Sequence, residues 1–245
     1  MPIRSVPLGE NTRFDFRTSI REGSLRAAIL PVAATEQHNE HLAMHHDARS
    51  TELLTARAAQ ALFPQVVVCP VVSVGVSGHW MDHPGTLSLS AENFTAVVFD
   101  ILASLRSAGL KRVLVVNGHG GNRRPIEAAL AQWRERLGIR IEFCSYWEAY
   151  SPAFVEANTA TGEVPGHAAE FETAFALAEF PESVHFTSAP YPESELHITD
   201  PQRAIDDRRF FEGARHASAE KGRLYVEHAV AYLTERLRRL LETEA

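Results

Sequence analysis

The sequence predicts an α/β fold: one layered domain, spanning residues 1–245, in which a mainly parallel sheet is flanked by helices. Three observations predict it, namely short apolar runs rich in β-branched residues, apolar positions at helical spacing between them, and the regular alternation of the two. The first run, residues 27–33, is continuously apolar and is followed by polar residues, and runs 66–72 and 112–116 repeat the pattern, so all three read as buried strands. Between them, 48–62 carries Leu53, Leu54, Ala58 and Leu62 on one helical face, and 91–108 carries Phe94, Val97, Val98, Ile101, Leu102 and Leu105. Ser90, with Asn93 three positions on, stands where an N-cap belongs, and Gly109 where a helix stops. A helix over about 124–137, ended by Gly138, leads into a fourth strand at 139–145. A helix after His167 and a long one over roughly 217–241 complete the chain. Residues 151–165 and 188–201 are looser in composition, but no repeat or linker divides the sequence.

The bulk properties narrow the function. A hydrophobic fraction of 45% and a charged fraction of 22% over 245 residues are enough to bury a sizeable core. Net charge is −7, and neither the 24 basic nor the 31 acidic residues form long blocks, which argues against a nucleic-acid partner. Arg4, Glu10, Arg13, Asp15, Arg17 and Arg21 interrupt the first 25 residues, so neither a signal peptide nor a membrane anchor is expected there, and no later stretch is suited to span a bilayer. Cys69 and Cys144 each lie in an apolar, strand-like run and read as buried free thiols in a reducing compartment, with the cytoplasm as the expected location.

In an open parallel sheet, functional groups gather past the carboxyl ends of the strands, where loops converge and helix N-termini point outward. Directly after the first strand comes the run from Thr35 to Asp47, containing Glu36, His38 and Asp47, and directly after the third comes Asn117-Gly118-His119-Gly120-Gly121-Asn122. In extended backbone Glu36 and His38 point to one face roughly 6–7 Å apart, able to serve one ion or two adjacent ones. Asp47 falls near a helix start, where a carboxylate is favoured and can use both oxygens to bridge cations. The glycines around His119 permit tight turns and close approach of a ligand. Mixed imidazole and carboxylate ligation suits zinc, manganese or iron(II) better than calcium or magnesium. Taken singly, each residue has a plainer reading: a histidine at a strand end is more often a hydrogen-bonded structural residue, and Asp47 alone is only an N-cap. A phosphate cradle is the weaker reading of the glycines, because neither GxGxxG nor GxxxxGK[ST] spacing occurs there. The coincidence of these residues after the correct strands is what favours a metal centre.

The run 30–47, Pro84-Gly85-Thr86, 117–122, and Gly166-His167-Ala168-Ala169-Glu170-Phe171-Glu172-Thr173 together resemble, in order and spacing, the signature blocks of the creatininase family. The resemblance covers most of residues 25–180, with little to compare beyond about Phe180. It implies a creatininase-like α/β fold and a two-metal centre that hydrolyses small, often cyclic, amides. By that resemblance Glu36, Asp47 and His119 hold one ion, while His38 and the bridging Asp47 hold the other. Creatininase supplies a further carboxylate from the position of Gly121, which this chain lacks, and Glu172 is the best replacement ligand. Its plainer reading is a solvated helix carboxylate. The cations would lower the pKa of a water toward roughly 7 and polarise a carbonyl. His167 resembles the family's catalytic histidine, able to relay a proton to the leaving nitrogen; with Glu172 it makes up the expected catalytic pair.

Substrate choice is expected from residues that depart from the family pattern. His79-Trp80 stands where many relatives have Glu-His, and Asn39-Glu40 replaces the usual Gly-Pro. His79, Trp80, His83, Glu40 and Trp147 are the expected substrate contacts, with Tyr150 as a further flat wall or as aromatic core. The first reading is hydrolysis of a C–N bond in a small amide, lactam or formamide. Its rivals are a lactone, keto-inositol or short-peptide substrate, and a non-catalytic, metal-stabilised binding protein. The resemblance also implies a homo-oligomer, such as a hexameric ring or stack.

Overall fold

Four parallel strands run side by side in the order β2-β1-β3-β4, with β1 at Ala27–Val32, β2 at Val66–Val68, β3 at Arg112–Asn117 and β4 at Arg140–Ser145. The structure is a computed structural model and describes residues 3–186 and 201–242. Eight α-helices surround the sheet among the described residues: α1 (Arg13–Arg21), α2 (His46–Gln60), α3 (Ala91–Ser107), α4 (Arg123–Leu137), α5 (Pro152–Asn158), α6 (Glu170–Glu179), α7 (Pro201–Ala214) and α8 (Ala219–Glu242). The expected α/β class and parallel sheet are therefore those of the molecule.

Alternation along β1 builds two cores. Ala27 and Ile29 join a cluster with Leu54 and Ala58 of α2, Phe171 and Phe175 of α6, and Tyr225, Leu233 and Leu237 of α8. Ala28, Leu30 and Val32 face the other way, against Phe94, Val98 and Leu102 of α3 and Ile126 and Trp133 of α4. Because side chains alternate in a strand, both faces of β1 must be apolar to be buried, which is why the sequence shows a continuous run there. The helix punctuation behaves as expected: the Ser90 side chain accepts from the Asn93 N–H, and Gly138 ends α4 in the left-handed region at φ 59°.

Differences from the sequence reading have local causes. β2 ends at Val68, not at 72: the Cys69 N–H still donates to the Ile29 carbonyl at 2.9 Å, but the next residue of β1 facing β2 is Pro31, which has no N–H to give back, and the chain rejoins β1 only where the Val72 N–H donates to the Pro31 carbonyl at 3.0 Å, at a Val72–Val32 bridge. α2 begins two residues earlier than expected, placing Asp47 inside its first turn. Three helices were not anticipated. α1 has a signal in the reciprocal Thr12–Asp15 capping box, and α5 in the Ser151 cap followed by Pro152. The loose stretch 188–201 lies outside the described residues except for Pro201, which opens α7. Among the described residues no helix is long and apolar enough to cross a membrane, and Cys69 and Cys144 are buried free thiols.

Both sheet edges are covered. On the β2 side the Val68 N–H donates to the Val6 carbonyl at 2.9 Å. On the β4 side Arg134 donates to the Ile141 carbonyl at 2.8 Å and Arg236 to the Phe143 carbonyl at 3.3 Å.

α6 and α8 approach closely at Gly222, where an added Cβ would lie 1.9 Å from the Ala174 carbonyl oxygen. Replacing a helical glycine by alanine ordinarily gains about 1 kcal/mol, but here the obstruction is backbone that cannot rotate away, and overpacking costs of about 1–3 kcal/mol or more outweigh the gain. Gly222→Ala is therefore expected to lower the urea midpoint; an unchanged or raised midpoint would show that the two helices are not held at this spacing.

Candidate metal centre

The strand order reverses at β1, whose neighbours are β2 and β3, and a crevice opens there at the carboxyl ends of β1 and β3. Three loops meet in it and are fastened by two asparagines. Asn117 accepts from the His119 N–H at 3.1 Å and donates to the His119 carbonyl at 2.8 Å and to Ser145 Oγ at 3.1 Å, which closes the turn after β3. Asn122 accepts from the Val76 N–H at 2.9 Å and donates to the Ala33 carbonyl at 3.0 Å, tying the loops after β1 and β3 to residues 75–77. Gly118 is required by proximity: a Cβ there would fall 1.7 Å from Thr51 Oγ1 on α2.

The crevice brings together Glu36, His38, Asp47, His119 and Glu172, each 5% exposed or less. The Asp47 carboxylate is shared. Its Oδ1 lies 3.1 Å from His38 Nε2 and its Oδ2 3.2 Å from His119 Nδ1. Glu36 Oε1 is 3.2 Å from the same His119 Nδ1, and Glu172 Oε2 is 3.6 Å from His38 Nε2. The ligand atoms of His38, Asp47 and Glu172 all lie within 4.8 Å of one another, as do those of Glu36, His79 and His119 and those of Glu36, His38 and His167. Each of the two inner rings gives its far N–H to a backbone carbonyl, His38 Nδ1 to Glu36 O at 3.1 Å and His119 Nε2 to Val76 O at 3.0 Å. That pattern turns the remaining nitrogen toward the carboxylates, the usual orientation of a metal-binding histidine.

The electrostatics point the same way. Burial opposes charge on His38 and His119, yet the surrounding carboxylates overcome it and push both rings up to about 10. Asp47 is held low against its burial by those rings. Burial pushes the Glu172 carboxyl up to about 8, with the Asp47 carboxylate adding to the shift. Glu36 Oε2 is buried without a hydrogen-bond partner. No lysine or arginine lines the cavity among the described residues. Three carboxylates with an orphaned oxygen, beside two imidazole nitrogens whose protons a cation would displace, form a donor set that fits divalent transition metals.

Gly121 has a structural reason. A Cβ there would lie 2.0 Å from the Val76 carbonyl oxygen and 2.6 Å from His119 Nε2, the two atoms of the hydrogen bond that orients His119. A side chain at this position is thus incompatible with this loop, and the carboxylate near His38 comes from the first turn of α6, where the Ala168 N–H donates to Glu172 Oε2 at 2.7 Å.

Around this centre a cavity of about 160 Å³ is lined by His79, Trp80, Trp147 and His167 as well as by the acidic groups. Trp80 stacks on His167 with centroids 4.3 Å apart, and His79 lies parallel to His119 at 5.8 Å. Burial holds the His167 ring well below the ordinary histidine range, with nearby His38 contributing. Glu40 and His83, expected as substrate contacts, line a different cavity. Asn39 adopts φ 56° and turns the chain away before Glu40, while His83 is buried against Asp207, Nε2 to Oδ2 at 2.9 Å. Tyr150 belongs to the core, its hydroxyl donating to the Tyr225 carbonyl at 2.7 Å. Sequence reasoning passed over Gln37, whose amide nitrogen lies 2.8 Å from His167 Nε2. In an extended run it alternates away from Glu36 and His38, so a search for ligands on their face skips it.

Comparison with known proteins agrees with this picture. The sequence model of the creatininase family, described as creatinine amidohydrolase, matches residues 10–237. Creatinine amidohydrolase of Pseudomonas putida is 29% identical, over 96% of this chain and 97% of its own. The mycofactocin precursor peptide peptidase of Mycolicibacterium smegmatis is 32% identical, over 43% of this chain and 44% of its own. A crystal structure of creatininase superposes with a TM-score of 0.84 at 26% identity, covering 98% of this chain and all (100%) of the other, and further creatininase structures are of a zinc–zinc type and a manganese form. The similarity extends well past Phe180, where sequence inspection found little to compare: α8 keeps its place through buried apolar positions such as Leu233, Leu237 and Leu240, a pattern that tolerates changes of identity. On fold and sequence alike, the chain belongs to the creatininase family.

Proposed function

We propose that the protein is a hydrolase in which two divalent cations, zinc, manganese or iron(II), are held on either side of Asp47 to cleave the C–N bond of a small, cyclic amide. The observation that carries this reading is the Asp47 carboxylate itself, with one oxygen turned to His38 and the other to His119. Glu36, Asp47 and His119 hold one cation, and His38, Asp47 and Glu172 the other, Glu172 standing in for the carboxylate that Gly121 cannot provide. Bound there, the cations supply a water of pKa near about 7 and polarise the scissile carbonyl, so no protein nucleophile is needed. The chain's own residues do the rest. Trp80 and Trp147 offer flat apolar walls to a planar substrate, the small cavity limits its size, and His167 and Glu172 face the bond that breaks. A lactone, a keto-inositol or a short peptide is the second reading, favoured by the likeness to a peptide peptidase over part of the chain. On the family resemblance and the two reduced thiols, we further propose a cytoplasmic homo-oligomer.

Two measurements test this. Metal analysis of protein purified without chelator should give two equivalents of transition metal, with Glu172→Gln losing one and Asp47→Asn losing both. Protein that takes up no transition metal at neutral pH would end the proposal. Assayed against creatinine, a simple lactam, a lactone, a keto-inositol and a short peptide, the metal-loaded chain should act best on a cyclic amide, and Asp47→Asn should slow that reaction by on the order of 100-fold or more. Undiminished turnover by Asp47→Asn would assign the site a structural role.

A further inference from the structure

His167 differs from the other two histidines of the centre in what holds its far nitrogen. His38 and His119 each donate that N–H to a carbonyl oxygen, as a metal ligand does. His167 Nε2 instead meets the side-chain amide of Gln37 at 2.8 Å. Which end of that amide faces the ring is settled by the backbone: the Asn39 N–H, which can only donate, lies 2.9 Å from Gln37 Oε1. Gln37 therefore presents its NH₂ to His167, and His167 Nε2 must accept. A neutral imidazole with a bare Nε2 carries its proton on Nδ1, and His167 Nδ1 is the nitrogen turned to the centre, 3.6 Å from Glu36 Oε1. The rest of the loop makes the arrangement rigid. The Gln37 N–H donates to Thr86 Oγ1 at 3.0 Å, the Asn39 N–H holds Gln37 Oε1 at 2.9 Å, and Trp80 stacked on the imidazole restrains the ring plane.

We infer that Gln37 is a positioning residue that locks His167 as a neutral imidazole with Nδ1–H directed into the centre, so that His167 donates a hydrogen bond to the substrate oxygen that gains negative charge. This rests on the hydrolase reading above and gives His167 a different task from the proton relay suggested by family resemblance. With Nε2 occupied by an amide donor the ring has no second site for a proton, and giving up Nδ1–H would leave an imidazolate. A ring nitrogen of His167 lies within 4.8 Å of ligand atoms of Glu36 and His38, but ligation through Nδ1 would require Nε2–H to face the Gln37 NH₂, which the hydrogen bond to Gln37 opposes. A fixed neutral N–H aimed at a developing oxyanion is an effective donor in a site shielded from water.

The test is nitrogen NMR of the zinc-loaded protein with ring-labelled histidine, the His167 signals being identified by their loss in His167→Asn. The expected wild-type pattern is a protonated Nδ1 and a bare Nε2. In Gln37→Glu a carboxylate replaces the amide donor, so the proton should move to Nε2. For the amide turned over best in the panel above, kcat should fall about 100-fold, with KM changed less than about twofold and zinc content kept. Gln37→Met, which removes the donor without adding charge, should give a mixture of both tautomers and an intermediate kcat. A wild-type ring protonated at Nε2, or a Gln37→Glu protein with the wild-type ring pattern, would overturn the inference. If the chain hydrolyses none of the panel, the hydrolase reading fails while the ring spectrum still decides the tautomer.

Discussion

Glu36, Asp47 and Glu172 are buried together in one crevice with no lysine or arginine lining it among the described residues. Taking a carboxylate out of water costs several kcal/mol even after relaxation, and crowding like charges adds to that cost, so such a cluster persists only where positive charge is supplied. The two imidazoles supply part of it when protonated, which is why burial fails to keep His38 and His119 neutral in the absence of metal. Divalent cations supply it more completely and leave the imidazole lone pairs free to bind. The rest of the architecture brings these acidic side chains to one point and holds them there.

The frame does so with helix starts. Asp47 and Glu172 lie in the first turns of α2 and α6, where unpaired backbone N–H groups give a partial positive charge that favours carboxylates. α6 is itself fixed by Glu170, fully buried and accepting from the Ala160 and Thr161 N–H groups at 2.7 and 2.8 Å and from Lys221 of α8. That contact anchors the segment carrying His167 at one end, while the Glu172–Ala168 hydrogen bond anchors it at the other. Precision at the centre thus depends on α8, far along the sequence and absent from the site.

Much of this was legible in the sequence. Strands buried on both faces leave continuous apolar runs, and helices between them leave a 3.6-residue spacing, so β1, β3, α3 and α4 were visible with nearly correct limits. The ligand residues were visible for a related reason, since the ends of β1 and β3 mark where chemistry gathers. Other features are encoded in contacts between distant positions. Nothing near Glu40 signals that Asn39 will take a left-handed turn and send it to another cavity. His83 does not announce a partner 124 residues away in Asp207. Gly121 reads as a missing ligand until the Val76 carbonyl is seen occupying the space of its side chain. Gln37 lies between two ligands and looks like a spacer, although its amide contacts a ring 130 residues on.

The guanidinium groups on β4 and the N-terminal segment against β2 bear on how copies of this chain can meet. An open strand invites a second molecule to continue the ladder, and such pairing is hard to limit to a finite assembly. Here the Ile141 and Phe143 carbonyls already accept from Arg134 and Arg236, and Val68 from the other margin already donates to Val6. These contacts occupy groups that a further strand would need and so disfavour growth by strand addition at both margins, leaving helices and loops as the surfaces where shape complementarity can fix a closed number of subunits.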